Sequence, residues 1–381
     1  MINKIWVFTG STRDFNSFLI EHIQDDESKV TLIEVIQHYN ARLRPTESGV
    51  QEQQLAVKLQ AKHCVVRTGD YGSVLEHVLS NFVNIVTRNY DIDTLYVQNP
   101  PKRVMDGLQE NYSYILEQSC SEYQTVNRET LKAIYSNVEN DVLGQTNCKR
   151  EIISGLYKMT ASSIKHPIVL LLYGPSGVGK TETAKSISHT LGGDLLRIQF
   201  SMMQTQEAFD YIFGAEHSKA SFARDLLSRE SNIILIDEFD KVNPRFYNAF
   251  YELFDEGRYV DTNYQVDLRH AVFILTCNFL TETEIRSSLG PAMFSRIGCC
   301  IRYSELSKKD KQKIISDFYS TTVAMLQPDE VDVIKRTDIL KWFIDNAERY
   351  DNIRILKTKL ENAIFGELAD AFVIKNRKLH S

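Results

Sequence analysis

Ile168-Val169-Leu170-Leu171-Leu172-Tyr173-Gly174-Pro175-Ser176-Gly177-Val178-Gly179-Lys180-Thr181 decides the reading of this chain. The unbroken apolar run from Ile168 to Tyr173 is that of a strand covered on both faces. The residues after it fit G-x-x-x-x-G-K-[ST] and lead into a helix-forming segment, the context in which that pattern cradles phosphate. Glycines there let backbone N–H groups turn inward around phosphate oxygens. Lys180 would neutralise the β- and γ-phosphates of ATP and the Thr181 hydroxyl would bind Mg²⁺. Gly174, Pro175, Ser176, Gly177, Val178, Gly179 and Glu182 complete the expected contact set. A glycine turn that matches by chance is the competing reading, and the flanking strand and helix argue against it.

Working outward, Ile233-Ile234-Leu235-Ile236-Asp237-Glu238 is a second apolar strand, delivering two carboxylates at its C-terminal end, where ligands of open α/β sheets sit. Asp237 would hold Mg²⁺, directly or through water, and Glu238 would orient and activate the attacking water. Acidic residues commonly mark strand ends, so this signal gains its weight from the P-loop before it. Residues 195–200 and 272–276 are further buried-strand candidates, and strands separated by helices imply a parallel sheet with helices on both faces. Upstream, 129–159 favours helix with a break at Gly144. After Arg302 the apolar runs stop and helical patterns take over at 308–325, 338–348 and 353–373, which reads as a helical lid.

The first hundred residues read as a separate, small, Rossmann-like α/β domain. Strand candidates at 5–8, 64–67 and 94–97 alternate with helical spacing at 51–60 and 74–86, and Pro100-Pro101 ends the pattern. The expected division is 1–120, 121–302 and 303–381. Polar loops at Thr9-Gly10-Ser11-Thr12 and Arg67-Thr68-Gly69-Asp70 suit a small ligand at a strand edge, although ordinary turns look the same. Docking of a protein partner is the favoured role for this domain.

Composition narrows the class. The chain has 381 residues, 43% of them hydrophobic, which is enough for more than one core, and a formal net charge of -6 that disfavours a nucleic-acid partner. The stretch from Met1 to Phe8 reaches Thr9-Gly10-Ser11 too soon for the apolar core of a signal peptide, and no run of about twenty apolar residues spans a bilayer. A cytoplasmic chain without a membrane partner is the expectation. None of the six cysteines forms a CxxC pair, which points to reduced structural thiols.

Several motifs in order carry a resemblance. Asp237-Glu238-Phe239-Asp240-Lys241-Val242-Asn243-Pro244, then Phe254-Asp255-Glu256-Gly257-Arg258-Tyr259-Val260-Asp261, then Phe273-Ile274-Leu275-Thr276-Cys277-Asn278 resemble the core of the Clp branch of AAA+ ATPases, from Leu143 to about Leu368. The resemblance implies a P-loop AAA+ sheet with a C-terminal helical lid, ATP and Mg²⁺ as ligands, and ATP hydrolysis. It places Asn278 at the sensor 1 position, Arg296 in Phe294-Ser295-Arg296-Ile297 as an arginine finger reaching a neighbouring subunit's γ-phosphate, and Leu143 beside adenine. Asn352-Ile353-Arg354 resembles the Gly-Ala-Arg sensor 2 motif with its arginine kept, so Arg354 would act from the lid; a surface arginine on an amphipathic helix is the alternative. It also implies a homo-oligomer, a hexameric ring or related assembly.

The pattern does not hold throughout. Between the two nucleotide motifs, where Clp unfoldases carry an aromatic Gly-Tyr-Val-Gly loop, this chain reads Phe213-Gly214-Ala215-Glu216-His217-Ser218-Lys219-Ala220, which argues against processive threading. No apolar-Gly-Phe loop for docking a proteolytic chamber is found either. The expected function is an oligomeric ATPase that remodels or disassembles a protein partner recruited by 1–120. The rival is an ATP-gated assembly switch or scaffold that positions N-terminal sensor or effector domains.

Overall fold

The computed structural model describes residues 2–43, 59–161, 166–200, 205–217 and 219–379. Its first sheet contains β1 (Lys4–Thr9), β2 (Lys29–Thr31), β3 (Leu59–Val66), β4 (Tyr90–Gln98) and β5 (Leu116–Cys120), in the order β2-β3-β4-β1-β5. All of its pairings are parallel. Ile5, Val7, Cys64, Val66, Leu95 and Val97 alternate along β1, β3 and β4 to build one core. Phe8, Phe15, Leu19, Val65 and Tyr96 pack on the opposite face.

The second sheet is built from β6 (Ile168–Tyr173), β7 (Leu196–Gln199), β8 (Ile233–Asp237), β11 (Val272–Cys277) and β12 (Cys299–Arg302). Between β8 and β11 lies a small antiparallel hairpin, β9 (Arg258–Val260) and β10 (Gln265–Asp267). The strand order is β12-β6-β11-β8-β7, and every pairing in this sheet is parallel. The apolar run that opened the sequence is explained by its two neighbours. Val169, Leu171 and Tyr173 join the core around Phe222, Phe250 and Phe273, while Ile168, Leu170 and Leu172 pack against Ile134, Ile152 and Ile187 on the other face.

Four helices follow, Lys308–Ala324, Pro328–Lys335, Ile339–Asp345 and Ile353–Leu379, held by Ile315, Ile334, Phe343, Leu356, Leu360 and Ile364. No helix among the described residues is long and apolar enough to cross a membrane.

The structure corrects several details of the sequence reading. Pro100-Pro101 does not end the first α/β pattern: Pro101 precedes the helix Lys102–Tyr112, and β5 then pairs with β1. β5 and β12 escape a search for apolar runs because β5 is mostly polar and β12 is four residues long with a single buried position. The helical spacing at 51–60 lies largely outside the described residues, and Leu59 and Gln60 begin β3 instead.

The polar loops at the carboxyl edge of the first sheet bond to one another. Asn99, at φ 44°, accepts the Gly10 N–H at 2.8 Å and donates to Gly10 O at 2.9 Å and Thr68 Oγ1 at 3.0 Å. Ser121 Oγ accepts the Ser11 N–H at 3.0 Å. Neighbouring loops rest on the second sheet's module. The Lys102 N–H donates to Asn263 O at 2.8 Å, buried His217 Nε2 lies 2.7 Å from Val74 O, and Arg13 pairs with Glu230 at 2.9 Å.

Candidate nucleotide-binding site

The site forms where β6, β8 and β11 end. β6 runs into the 174–179 turn, and two of its glycines are required by geometry. Gly174 has φ 132° and passes so close to Tyr303 that a Cβ would lie 2.2 Å from the Tyr303 carbonyl oxygen. Gly177 has φ 81°, and a Cβ there would lie 2.8 Å from Asn352 Oδ1. The helix Lys180–Thr190 begins directly after the turn, so the free N–H groups of its first turn face the cradle.

Lys180 is buried, 8% exposed, and its Nζ donates to Gly174 O at 2.6 Å, Pro175 O at 2.8 Å and Asn278 Oδ1 at 3.2 Å. Burial lowers its pKa from the ordinary lysine value. A desolvated ammonium whose partners are neutral oxygens, beside a ring of N–H donors, fits an anion with several oxygens.

Asp237 and Glu238 stand side by side at the end of β8 but in different conformations. Asp237 is buried, with the Thr276 hydroxyl donating to Oδ1 and Arg197 donating to Oδ2 from Nε at 2.9 Å and from Nη2 at 2.5 Å. Glu238 adopts φ 55°, uncommon outside glycine. Its N–H donates to Thr276 Oγ1 at 3.0 Å, and its Oε2 accepts from Gln199 Nε2 at 2.9 Å. Arg197 and Gln199 are two apart on β7 and therefore share a side of the sheet, one holding each carboxylate. Just beyond, burial raises the Asp240 carboxyl above its ordinary value, and its Oδ1 has no hydrogen-bond partner.

The wall facing the helical unit mixes apolar side chains with the polar Lys313, Asp317, Thr321 and Lys357. Val142 and Leu143 line it with Leu306, Ile314, Phe318 and Ile353 from the helical unit. Gln145, at φ 58°, fixes that wall: its Nε2 donates to Ser304 O at 2.6 Å, and its Oε1 accepts the Ser304 N–H at 3.1 Å. From the lid, Asn352 Oδ1 accepts the Arg354 N–H at 2.8 Å, capping the Ile353–Leu379 helix and setting Arg354 at the cavity rim.

A single cavity of about 790 Å³ thus gathers Leu143, Ser176 through Glu182, Asp237, Glu238, Asn278 and Arg354. Gly174 and Pro175 lie at its base and meet Lys180 through their carbonyls rather than lining it. Arg296 is the one expected site residue held elsewhere. It donates to Asp255 Oδ2 from Nε at 2.9 Å and to Ala292 O at 2.6 Å, and it sits 4.2 Å from the Tyr251 ring centroid. Sequence reasoning did not single out Arg197, Gln199 and Thr276, although their strands were recognised, because no pattern within either strand marks them.

Among the described residues no group of three or more His, Cys, Asp or Glu could hold a metal ion. Thr181 and Asp237 face the same cavity, so their oxygens fit a Mg²⁺ that takes its remaining ligands from phosphate and water.

A glycine cradle with a buried lysine, a strand-end carboxylate pair and a helical lid define a P-loop nucleotide-binding module of the AAA+ class. Residues 165–328 match the family described as AAA domain (Cdc48 subfamily), and the chain carries an AAA+ domain of this Clp/Cdc48 type. A ClpA homolog protein of Fuscovulum blasticum is 24% identical over 289 residues, which are 65% of this chain and 36% of that protein. The ATP-dependent Clp protease ATP-binding subunit ClpC of Staphylococcus aureus (strain USA300) is 23% identical over 298 residues, 66% of this chain and 36% of its own length. This chain therefore spans little more than a third of the length of these relatives. The fold is shared with a closed-state cryo-EM reconstruction of Hsp104 with ATPγS and FITC casein, at a TM-score of 0.53 and 13% identity, covering 98% of this chain and 89% of that one.

Proposed function

We propose that this chain binds MgATP in the 790 Å³ cavity and hydrolyses it as part of a homo-oligomer. The observation that carries the proposal is the convergence of Lys180, Thr181, Asp237, Glu238, Asn278 and Arg354 on one cavity while Arg296 is held outside it. The cradle N–H groups and Lys180 bind the triphosphate, and Leu143 and its apolar neighbours receive the base. Mg²⁺, when bound through Thr181 and Asp237, supplies charge neutralisation across the β- and γ-phosphates. Glu238 orients and deprotonates the attacking water, and Asn278 fixes that water's position. Arg354 moves the lid with the nucleotide state. Arg296 serves a neighbouring subunit's nucleotide, so turnover requires assembly into a ring or a related homo-oligomer.

The mechanical use of the cycle is remodelling or disassembly of a protein partner recruited through residues 1–120, in the cytoplasm and without a protease chamber. Removal of the γ-phosphate breaks the bridge between Arg296 of one subunit and the P-loop of the next, and that difference in binding does the work. One observation favours the ATP-gated assembly switch as a second reading: His217, in the segment between the two nucleotide motifs, is buried against Val74 of the first domain.

Light scattering at several protein concentrations, with and without ATP, together with phosphate release, tests the proposal on wild type, Glu238→Gln and Arg296→Ala. ATP-driven assembly that Glu238→Gln traps and Arg296→Ala weakens supports it. A wild type that stays monomeric and hydrolyses ATP at a rate indifferent to Arg296 sinks the trans-acting model.

A further inference from the structure

Resting on the ATP reading above, we propose that Arg197 is a cation placeholder on Asp237: it keeps free divalent metal off the carboxylate and releases it only to metal that arrives with nucleotide. Both oxygens of this buried side chain are engaged, Oδ1 by the Thr276 hydroxyl and Oδ2 by two donors of one guanidinium at 2.9 and 2.5 Å. Such a pairing neutralises the carboxylate and fixes its plane. Mg²⁺ binds carboxylates either by displacing such a donor or through its own water, and it gives up water reluctantly. A lone divalent ion therefore meets an Asp237 already satisfied by a positive charge, and like charges at this range repel.

The geometry also says what opens the pair. The Arg197 side chain is 45% exposed and lines the same cavity as Lys180, Thr181 and Asn278, so it can leave Asp237 for a new anion without crossing the protein core. A triphosphate is that anion, and it brings phosphate oxygens that complete the metal's coordination. Arg197 also shields the triphosphate from the Asp237 charge until the metal is in place. It is a positioning residue that acts through Asp237.

The test uses the whole chain and two readouts other than turnover. Mn²⁺ is titrated without nucleotide and followed by the spin-resonance signal of the free ion. Ribose-labelled fluorescent ATP is then titrated at graded Mg²⁺. Arg197→Gln, which keeps length without charge, is expected to bind nucleotide-free Mn²⁺ about tenfold more tightly and to lower the Mg²⁺ concentration for half-saturation of ATP binding by a similar factor. Arg197→Lys restores the charge and returns both values toward wild type. Unchanged metal affinities in Arg197→Gln, or an equal loss of ATP affinity at every Mg²⁺ concentration, overturn the proposal. If wild type binds no labelled ATP at any Mg²⁺ level, the ATP reading is what fails, and the nucleotide-free Mn²⁺ comparison still judges Arg197.

Discussion

Two adjacent carboxylates at the end of β8 are set for different work by what holds them. Asp237 is clamped on both oxygens by the Thr276 hydroxyl and the Arg197 guanidinium, whereas Glu238 turns into the left-handed region and accepts from the Gln199 amide. The Glu238→Gln variant should therefore keep ATP affinity and lose turnover by about 10²–10⁴-fold, measured as labelled-ATP binding against phosphate release. A parallel loss of binding would place Glu238 in the binding surface instead. Gly174 carries the sharpest steric requirement of the cradle. Because its Cβ would lie 2.2 Å from Tyr303 O at φ 132°, Gly174→Ala should cost about 2 kcal/mol or more in denaturant unfolding, and wild-type stability in that variant would contradict the geometry. The cradle was legible in the sequence because the motif names its own residues. Arg197, Gln199 and Thr276 were not, since an arginine, a glutamine and a threonine on strands carry no such pattern until the strands are set side by side.

At the scale of elements, the lid shows how a departure from a family pattern gains a physical reason. Asn352, where the resembling motif has glycine, caps the Ile353–Leu379 helix: its Oδ1 accepts the Arg354 N–H at 2.8 Å, and its carbonyl accepts the Leu356 N–H at 3.0 Å. The same Oδ1 approaches the Cα side of Gly177, so the cap couples the lid to the phosphate turn. Asn352→Ala should cost about 1 kcal/mol of stability and weaken ATP binding, while Asn352→Ser should recover most of both. Equal ATP affinity in all three proteins would detach the cap from the site. Buried strands and long helices were legible for the same reason, an apolar run or a 3.6-residue period. β5 and β12 were not, because one is mostly polar and the other has a single buried position, nor was the hairpin β9–β10, whose strands alternate too briefly to register.

For the whole molecule the question is how the first domain is held against the AAA+ module. The seam between them falls on the segment that separates the two nucleotide motifs and on the turn between β9 and β10. The Thr262 N–H donates to Phe213 O at 3.2 Å and Asn263 Nδ2 to Ala215 O at 2.9 Å, while Asn263 O in turn accepts the Lys102 N–H at 2.8 Å. Beside this stitching, Tyr71 Oη and Tyr264 Oη are buried without a hydrogen-bond partner. Glu230→Arg sets a like charge against Arg13, now 2.9 Å from the carboxylate, and His217→Ala removes the ring that meets Val74 O. The double variant should release the first domain without touching the cradle. Amide exchange should then quicken at 71–75, 214–217 and 262–264, with 174–181 unchanged and labelled ATP bound as in wild type. Exchange that quickens everywhere would mean the AAA+ module needs the first domain to stay folded. Exchange that quickens nowhere would mean the hairpin stitching alone fixes the seam, and either result would overturn a seam held by the Arg13–Glu230 and His217–Val74 contacts.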